Sequence, residues 1–128
     1  MARILVIEDD DSIRNLIEKF MTKDGYEVET AENGAVGIKM IGSRQYDLLI
    51  TDIVMPEQDG IGVLMELRTR SSKLKTIVIT GGSLKLQVDD LMLTARAMKA
   101  DRVMMKPLDF ELLSAHVAEL LKPAEETI

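Results

Sequence analysis

Residues 3–11 read RILVIEDDD, and this short stretch decides the fold. Its first five residues, which are mostly apolar, have the length and composition of a strand buried on both faces of a sheet. Consecutive carboxylates follow at Glu8, Asp9, Asp10 and Asp11. Adjacent like charges repel one another, so acids at the end of a buried strand need a neutralising partner. The stretch predicts an inner strand whose carboxyl end carries a charged site.

Further apolar runs follow along the chain, and helical patterns separate them. The runs are residues 26–30, 47–51, 75–79 and 101–105, which read YEVET, DLLIT, KTIVI and DRVMM. A first helix is predicted to end at Gly25, and the later helices are predicted over 33–43, 58–70, 88–98 and 109–122, with a loop over 81–87. Strands that alternate with helices in this way predict an α/β fold: a doubly wound, five-stranded parallel sheet with helices on both faces.

Apolar stripes predict the buried faces of the first and last helices. Apolar residues recur at helical spacing in the first helix at Ile13, Leu16, Ile17, Phe20 and Met21. The last helix has a similar stripe at Phe110, Leu113, Val117 and Leu120. We expect both stripes to face the sheet.

The composition excludes several classes of protein. The chain has 128 residues, of which 46% are hydrophobic and 30% charged, as expected for one folded domain. No apolar run approaches the roughly 20 residues of a membrane span. A net charge of −6 argues against direct binding of nucleic acid. Because there is no cysteine and no secretory leader, we expect a cytoplasmic location, and the start and short tail favour a free-standing protein.

Polar side chains stand at the carboxyl ends of the predicted strands, at Glu8, Asp9, Asp52, Thr80 and Lys106. Ligands of such sheets bind outside these strand ends, so we expect the five side chains to meet. Carboxylates packed together need a cation among them, and an oxygen-only donor set favours Mg²⁺. An aspartate beside Mg²⁺ can act as a nucleophile toward phosphorus, while Lys106 and the Thr80 hydroxyl can hold phosphoryl oxygens.

Four segments carry a resemblance to a known family. In order along the chain they are VIEDD at 6–10, DLLITDIVMPEQDG at 47–60, IVITGG at 77–82 and VMMKPLD at 103–109. This ordered set closely resembles the receiver domain of two-component response regulators, over about residues 2–122. The resemblance implies the flavodoxin-like strand order 2-1-3-4-5. It also implies a receiver domain over 1–122 and a short tail over 123–128.

The resemblance implies a role for each site residue. Asp52 would be the phosphoacceptor, and Thr80 and Lys106 would contact the phosphoryl group. Asp9, Asp52 and the Val54 backbone carbonyl would bind Mg²⁺ directly, and Glu8 would bind it through water. The Lys106–Pro107 bond would be cis.

The resemblance also implies partners. The phosphoryl donor would be a histidine kinase or a histidine phosphotransfer protein. The signal would leave by contact with an unknown downstream protein or by onward phosphotransfer in a phosphorelay, without direct contact with nucleic acid or membrane. A homodimer would form through the fourth predicted helix, the fifth strand and the last helix. Such a protein catalyses its own phosphorylation and dephosphorylation and is not a multiple-turnover enzyme.

Some positions depart from the family pattern. Glu8 stands where aspartate is common, and Val103 stands where many members have a tyrosine or phenylalanine that swings inward on phosphorylation. Lys99 replaces a usual glycine, and the loop after Thr80 is longer than in the chemotaxis regulator. Val54 and Gly82 offer no polar side chain to orient an attacking water, so slow self-dephosphorylation is expected.

Two alternative functions follow from the same residues. A degenerate receiver would act only as a protein-binding module. A hydrolase of the haloacid dehalogenase type would also use an aspartate such as Asp52, but it needs a second acid two residues later, where this chain has Val54.

Several polar and apolar residues have simpler interpretations. We expect Asp10 and Asp11 to cap the first helix and His116 to be an ordinary helix-face residue. Met92 and Leu93 fall off the expected buried stripe of their helix; with an outward-facing Met105 they would form an apolar docking surface, and packing in the core is the equal alternative.

Overall fold

The structure is a computed structural model, and it describes residues 2–52, 74–80 and 100–122, the side chain of Thr80 excepted. With the described helices numbered in chain order, the elements are β1 Arg3–Ile7, α1 Asp11–Lys23, β2 Glu27–Ala31, α2 Gly34–Ser43, β3 Leu48–Asp52, β4 Lys75–Thr80, β5 Arg102–Met105 and α3 Phe110–Leu120. The helices predicted over 58–70 and 88–98, the predicted loop over 81–87 and the predicted tail lie outside the described residues, as do Met92, Leu93 and Lys99.

The strands form one parallel sheet in the order β2-β1-β3-β4-β5, which confirms the predicted fold class and strand order. The prediction placed one or both ends of β2, β3, β4 and β5 one residue too early. In the central register Ile7 of β1 lies opposite Thr51 of β3. The next residues, Glu8 just after β1 and Asp52 at the end of β3, therefore lie side by side.

The core fills both faces of the sheet, as the uninterrupted apolar strands predict. On one face, alternate strand residues such as Ile4 and Val6 pack with α1 and α3. On the other face Leu5 and Ile7 pack beneath α2. The helix α2 comes so close to the sheet that a Cβ added at Gly37 would overlap the Ile7 side chain. The glycine that weakens the helix propensity of this segment is therefore what lets α2 pack on β1.

The predicted stripe of α1 is partly wrong. Ile17 and Met21 are fully buried, but Leu16 and Phe20 remain 43% and 38% exposed. The stripe is wider than the line of contact with the sheet, so its outer members lie at the helix edge. Phe20 stacks there on Phe110 of α3, with ring centroids 4.5 Å apart. The two helices meet along a seam that the stripe alone does not predict.

The last helix follows its prediction closely. Leu113 and Val117 are fully buried, and Phe110 and Leu120 pack partly buried against the same core. Ser114 donates a hydrogen bond of 2.7 Å to Asp24, just beyond α1, which ties the two helices together. Within the described segments no helix has the length and apolar character that crossing a membrane requires.

Candidate metal centre

Three carboxylates converge at the carboxyl edge of the sheet. Glu8, Asp9 and Asp52 each offer an oxygen that lies within 4.8 Å of the other two. The parallel register of β1 and β3 produces this convergence, because it sets Glu8, the residue after β1, beside Asp52, the last residue of β3. Glu8 and Asp52 are buried and Asp9 is exposed, so the cluster opens to solvent on the side of Asp9. The meeting of these three side chains, expected from their places at strand ends, is present.

Lys106 reaches the cluster from beyond β5. Its Nζ lies 2.8 Å from Oδ2 of Asp52 and 2.9 Å from Oε1 of Glu8. The side chains of Glu8 and Asp52 are only 1% and 4% exposed, respectively, and the Lys106 side chain is 20% exposed. Burial by itself would lower the pKa of Lys106, but hydrogen bonds and attraction from Asp52 and Glu8 outweigh it and raise that pKa. Lys106 is therefore a stable cation that offsets part of the acidic charge.

The groups described around the Glu8 carboxylate offset only part of its negative charge. Its Oε2 accepts a hydrogen bond of 3.0 Å from the backbone N–H of Asp10. Its buried Oε1 has the Lys106 ammonium 2.9 Å away as an ion-pair partner, and no other described donor bonds to it. Burial raises the pKa of Glu8 to about 7, against the opposing effects of the Asp10 N–H and Lys106. An ionised Glu8 at neutral pH calls for further positive charge beside it.

The segment after β1 is held by the start of α1. Asp10 is the N-cap of α1, and its carboxylate accepts the backbone N–H of Ile13 at 3.1 Å, as predicted. Asp11 is the first residue of the helix, where a negative charge is favourable. Arg14 donates from Nη1 to the Glu8 carbonyl at 3.0 Å and from Nη2 to Asp11 at 2.5 Å. Arg14 was not among the predicted site residues; the signal for it in the sequence is an arginine one helical turn after Asp11.

The remaining predicted site residues are placed to different degrees. Thr80 ends β4 opposite Met105, so its backbone is at the correct edge, but its side chain is not among the described atoms. Val54 and Gly82 lie outside the described residues. The Lys106–Pro107 peptide bond is cis, as expected.

The donor set fits a hard divalent ion. Three carboxylates meet at one point, and among the described groups the buried Oε1 of Glu8 has only the Lys106 ammonium beside it, at 2.9 Å, an ammonium that also contacts Asp52. Oxygen donors without sulfur or imidazole are the ligands that Mg²⁺ prefers, and Mg²⁺ needs few protein ligands because it keeps several waters. The residues present therefore suit Mg²⁺.

Residues away from the cluster follow their simpler interpretations. His116 lies on α3, where its Nδ1 accepts a hydrogen bond of 3.2 Å from Arg102 Nε. Met105 is 47% exposed, which confirms that it faces outward. Val103 packs partly buried against the core beneath α2.

These features define a class of protein: a parallel α/β domain that carries an acidic cluster and an opposed lysine at one edge of its sheet. The family model for the response regulator receiver domain matches residues 4–118. The chain belongs to that family, and it is thus a signalling module.

Curated relatives are transcriptional and response regulators. The chain is 32% identical over 126 residues to the transcriptional regulatory protein AfsQ1 of Streptomyces coelicolor, a match that covers 98% of this chain and 53% of that protein. It is 34% identical over 122 residues to the response regulator MprA of Mycobacterium ulcerans, covering 94% and 50%. The chain thus spans about half the length of these relatives.

Solved structures share the fold. The response regulator TrrA of Thermotoga maritima, crystallised in complex with Mg²⁺-BeF, is 37% identical with a TM-score of 0.81, covering 94% of this chain and 100% of that one. A CheY-like receiver domain protein of Methanospirillum hungatei is 26% identical with a TM-score of 0.86, covering 100% and 99%.

Proposed function

We propose that this protein is a phosphorylation-dependent switch in which Asp52 accepts a phosphoryl group from a histidine kinase or a histidine phosphotransfer protein. The observation that carries the proposal is the cluster in which the buried Asp52 and Glu8 converge with the exposed Asp9, with Lys106 on the Asp52 carboxylate. The relative TrrA, crystallised with Mg²⁺-BeF, supports Mg²⁺ as the cofactor.

The transfer needs a nucleophile, a charge partner and a leaving group. A carboxylate oxygen of Asp52 attacks phosphorus and forms an acyl phosphate, while the bond from phosphorus to the donor's imidazole nitrogen breaks. The imidazole nitrogen keeps the electron pair and takes up a proton. Asp9, Asp52 and the Val54 carbonyl would hold Mg²⁺ directly and Glu8 would hold it through water; the ion would supply positive charge to the phosphoryl oxygens.

Lys106 has two tasks in this proposal. Before transfer its ammonium donates to the Asp52 carboxylate at 2.8 Å and holds that side chain in place. After transfer the same ammonium and the Thr80 hydroxyl bind phosphoryl oxygens, because the negative charge then lies on the phosphoryl group that Asp52 carries. The repositioning of Thr80 and the loop after it carries the signal.

The proposal assigns residues 1–122 to the receiver unit and 123–128 to a tail. The output passes by protein contact or onward phosphotransfer, with a homodimer through the predicted helix 88–98, β5 and α3 as one route. The location is cytoplasmic, where the kinase domains of two-component systems present their phosphoryl groups. Multiple turnover on free phosphate esters is not expected, because an apolar residue, Val54, stands where a hydrolase needs its second acid.

Intact-mass measurement tests the proposal. The protein is incubated with Mg²⁺ and acetyl phosphate, and the expected product is one phosphoryl adduct that hydroxylamine removes. Asp52→Asn should abolish the adduct, and Asp24→Asn, at an exposed aspartate beyond α1, should keep it. No adduct on the unmodified protein would favour the degenerate, binding-only receiver. An adduct that survives in Asp52→Asn would overturn the assignment of the nucleophile.

A further inference from the structure

Arg14 connects α1 to the turn that carries two of the acidic residues. Its Nη1 donates to the main-chain carbonyl of Glu8 at 3.0 Å, and its Nη2 donates to the Asp11 carboxylate at 2.5 Å. The arginine side chain is only 16% exposed although α1 is a surface helix. Its guanidinium is thus partly buried in a bridge between the strand end and the helix start.

The carbonyl that Arg14 binds belongs to the peptide unit between Glu8 and Asp9. Rotation of that peptide would swing the Asp9 backbone, and with it the direction of the Asp9 carboxylate. The same turn is held on its other sides by the Glu8 N–H, which donates to Ala31 at 3.1 Å, and by the Asp10 N–H, which donates to the Glu8 side chain. Arg14 supplies the hydrogen bond to the carbonyl between these two donors.

We infer that Arg14 is a positioning residue for the cation site: it fixes the Glu8–Asp9 peptide so that both carboxylates face Asp52. The inference rests on the proposed Mg²⁺-dependent function of that cluster. Arg14 touches neither the cation nor the phosphoryl group in this role, and it acts through the backbone. Partners that orient metal ligands in this way contribute substantially to metal affinity.

Arg14 could influence the site through its charge or through its position, and these two roles predict opposite changes in Mg²⁺ affinity when Arg14 is replaced. A guanidinium beside an acidic cluster repels an incoming divalent cation, so its removal alone would strengthen Mg²⁺ binding. Loss of the bridge frees the Glu8–Asp9 peptide, so the ligands must be ordered when the cation binds, and binding weakens. The sign of the change therefore separates the two causes.

The test is an NMR titration of the full chain with MgCl₂, with thermal unfolding of each metal-free variant as a check on the fold. Arg14→Met keeps the length and apolar stem of the side chain and is expected to weaken Mg²⁺ binding about tenfold. Arg14→Lys restores one donor without the fork that spans Glu8 and Asp11, so its affinity should fall between those of Arg14→Met and the unmodified protein.

Arg3→Met is the matched control. It removes the same charge from the other end of β1, where Arg3 pairs with Glu27 at 3.1 Å, and it should leave Mg²⁺ affinity unchanged. Equal or tighter binding by Arg14→Met overturns the inference while leaving the proposed function intact. If Arg14→Met does not fold, equal or tighter binding by Arg14→Lys overturns it instead. Absence of Mg²⁺ binding by the unmodified protein removes both the inference and the function on which it rests.

Discussion

The charged side chains are paired differently at the two ends of the parallel strands, the amino edge and the carboxyl edge of the sheet. At the amino edge, Arg3 pairs with Glu27 at 3.1 Å and its backbone N–H binds the Asp47 carboxylate at 2.8 Å. Arg44 likewise pairs with Glu29. Among the described residues of the carboxyl edge, the Lys106 ammonium contacts two of the three carboxylates, Glu8 and Asp52, and both of these are buried. Within the part of the chain that the structure describes, these ion pairs balance the amino edge, whereas the acids of the carboxyl edge outnumber the cations in contact with them.

This difference separates a structural surface from a binding site. Exposed ion pairs contribute little, because water screens both partners and each side chain loses freedom on pairing. Buried carboxylates that lack full compensation destabilise the protein until a cation arrives. The acidic cluster at the carboxyl edge therefore lowers the stability of the metal-free protein, as expected of a site selected for binding. The predictions below test this contrast.

Removal of the Lys106 charge should have the largest effect. Lys106→Met leaves Glu8 and Asp52 buried without their shared ammonium, and the expected cost is about 3 kcal/mol of unfolding free energy at pH 8 in the absence of metal. Denaturant unfolding measures this cost. Lys75→Met, at an exposed lysine at the amino edge, should cost far less. Equal costs at the two edges would contradict the contrast between them.

The pKa of Glu8 predicts an unusual dependence of stability on pH. Between about pH 4.5 and about pH 7 the folded protein holds a proton on Glu8 that the unfolded chain has already released. Stability from this group is complete at low pH and is lost as pH rises through that window, by at most about 3 kcal/mol. Carboxylates with lowered pKa values produce the reverse trend.

Glu8→Gln isolates this contribution in metal-free unfolding experiments. The variant should be more stable than the unmodified protein at pH 8, should lose the falling trend between about pH 4.5 and about pH 7, and should gain less stability from Mg²⁺. Glu27→Gln, at the amino edge, is the control and should keep the trend. A trend that persists unchanged in Glu8→Gln would show that another group titrates in this range.

The sequence predicts the fold and the acidic cluster for a simple physical reason. Buried parallel strands are short apolar runs, and the residues just beyond them meet at one edge whatever the details of packing. Glu8, Asp9, Asp52 and Lys106 could therefore be selected before any distance was known. Their individual roles in binding and transfer stay predictions.

Details that depend on side-chain reach could not be predicted. Periodicity marks Leu16 and Phe20 as apolar but does not say how wide the contact with the sheet is. The 2.9 Å contact of Lys106 with Glu8 depends on the conformations of two long side chains, which residue type does not fix. The bridge from Arg14 depends on the direction of one carbonyl in a turn, because backbone direction is set by the whole local geometry and not by residue type.

A smaller effect is expected where a hydrogen bond joins β2 to the start of β3. Tyr46 donates to Glu29 at 2.7 Å, and burial together with this bond raises the pKa of Tyr46 to about 12. Tyr46→Phe should lower the unfolding free energy by about 1 kcal/mol without altering Mg²⁺ affinity. Denaturant unfolding and the Mg²⁺ titration measure the two quantities. A changed affinity would mean that the two edges are coupled through β1 and β3.

The smallest change is expected at Arg3, although it makes more than one contact. Arg3→Met breaks the ion pair with Glu27, but both side chains are well exposed, at 33% and 48%, and the backbone bond from Arg3 to Asp47 survives. The unfolding free energy should fall by less than about 1 kcal/mol, and the loss should shrink as salt is added, because exposed pairs are screened. A loss as large as that of Lys106→Met, and unaffected by salt, would mean that the charges of the amino edge are as poorly solvated as those of the carboxyl edge. Excess buried charge would then no longer distinguish the candidate site from the rest of the sheet.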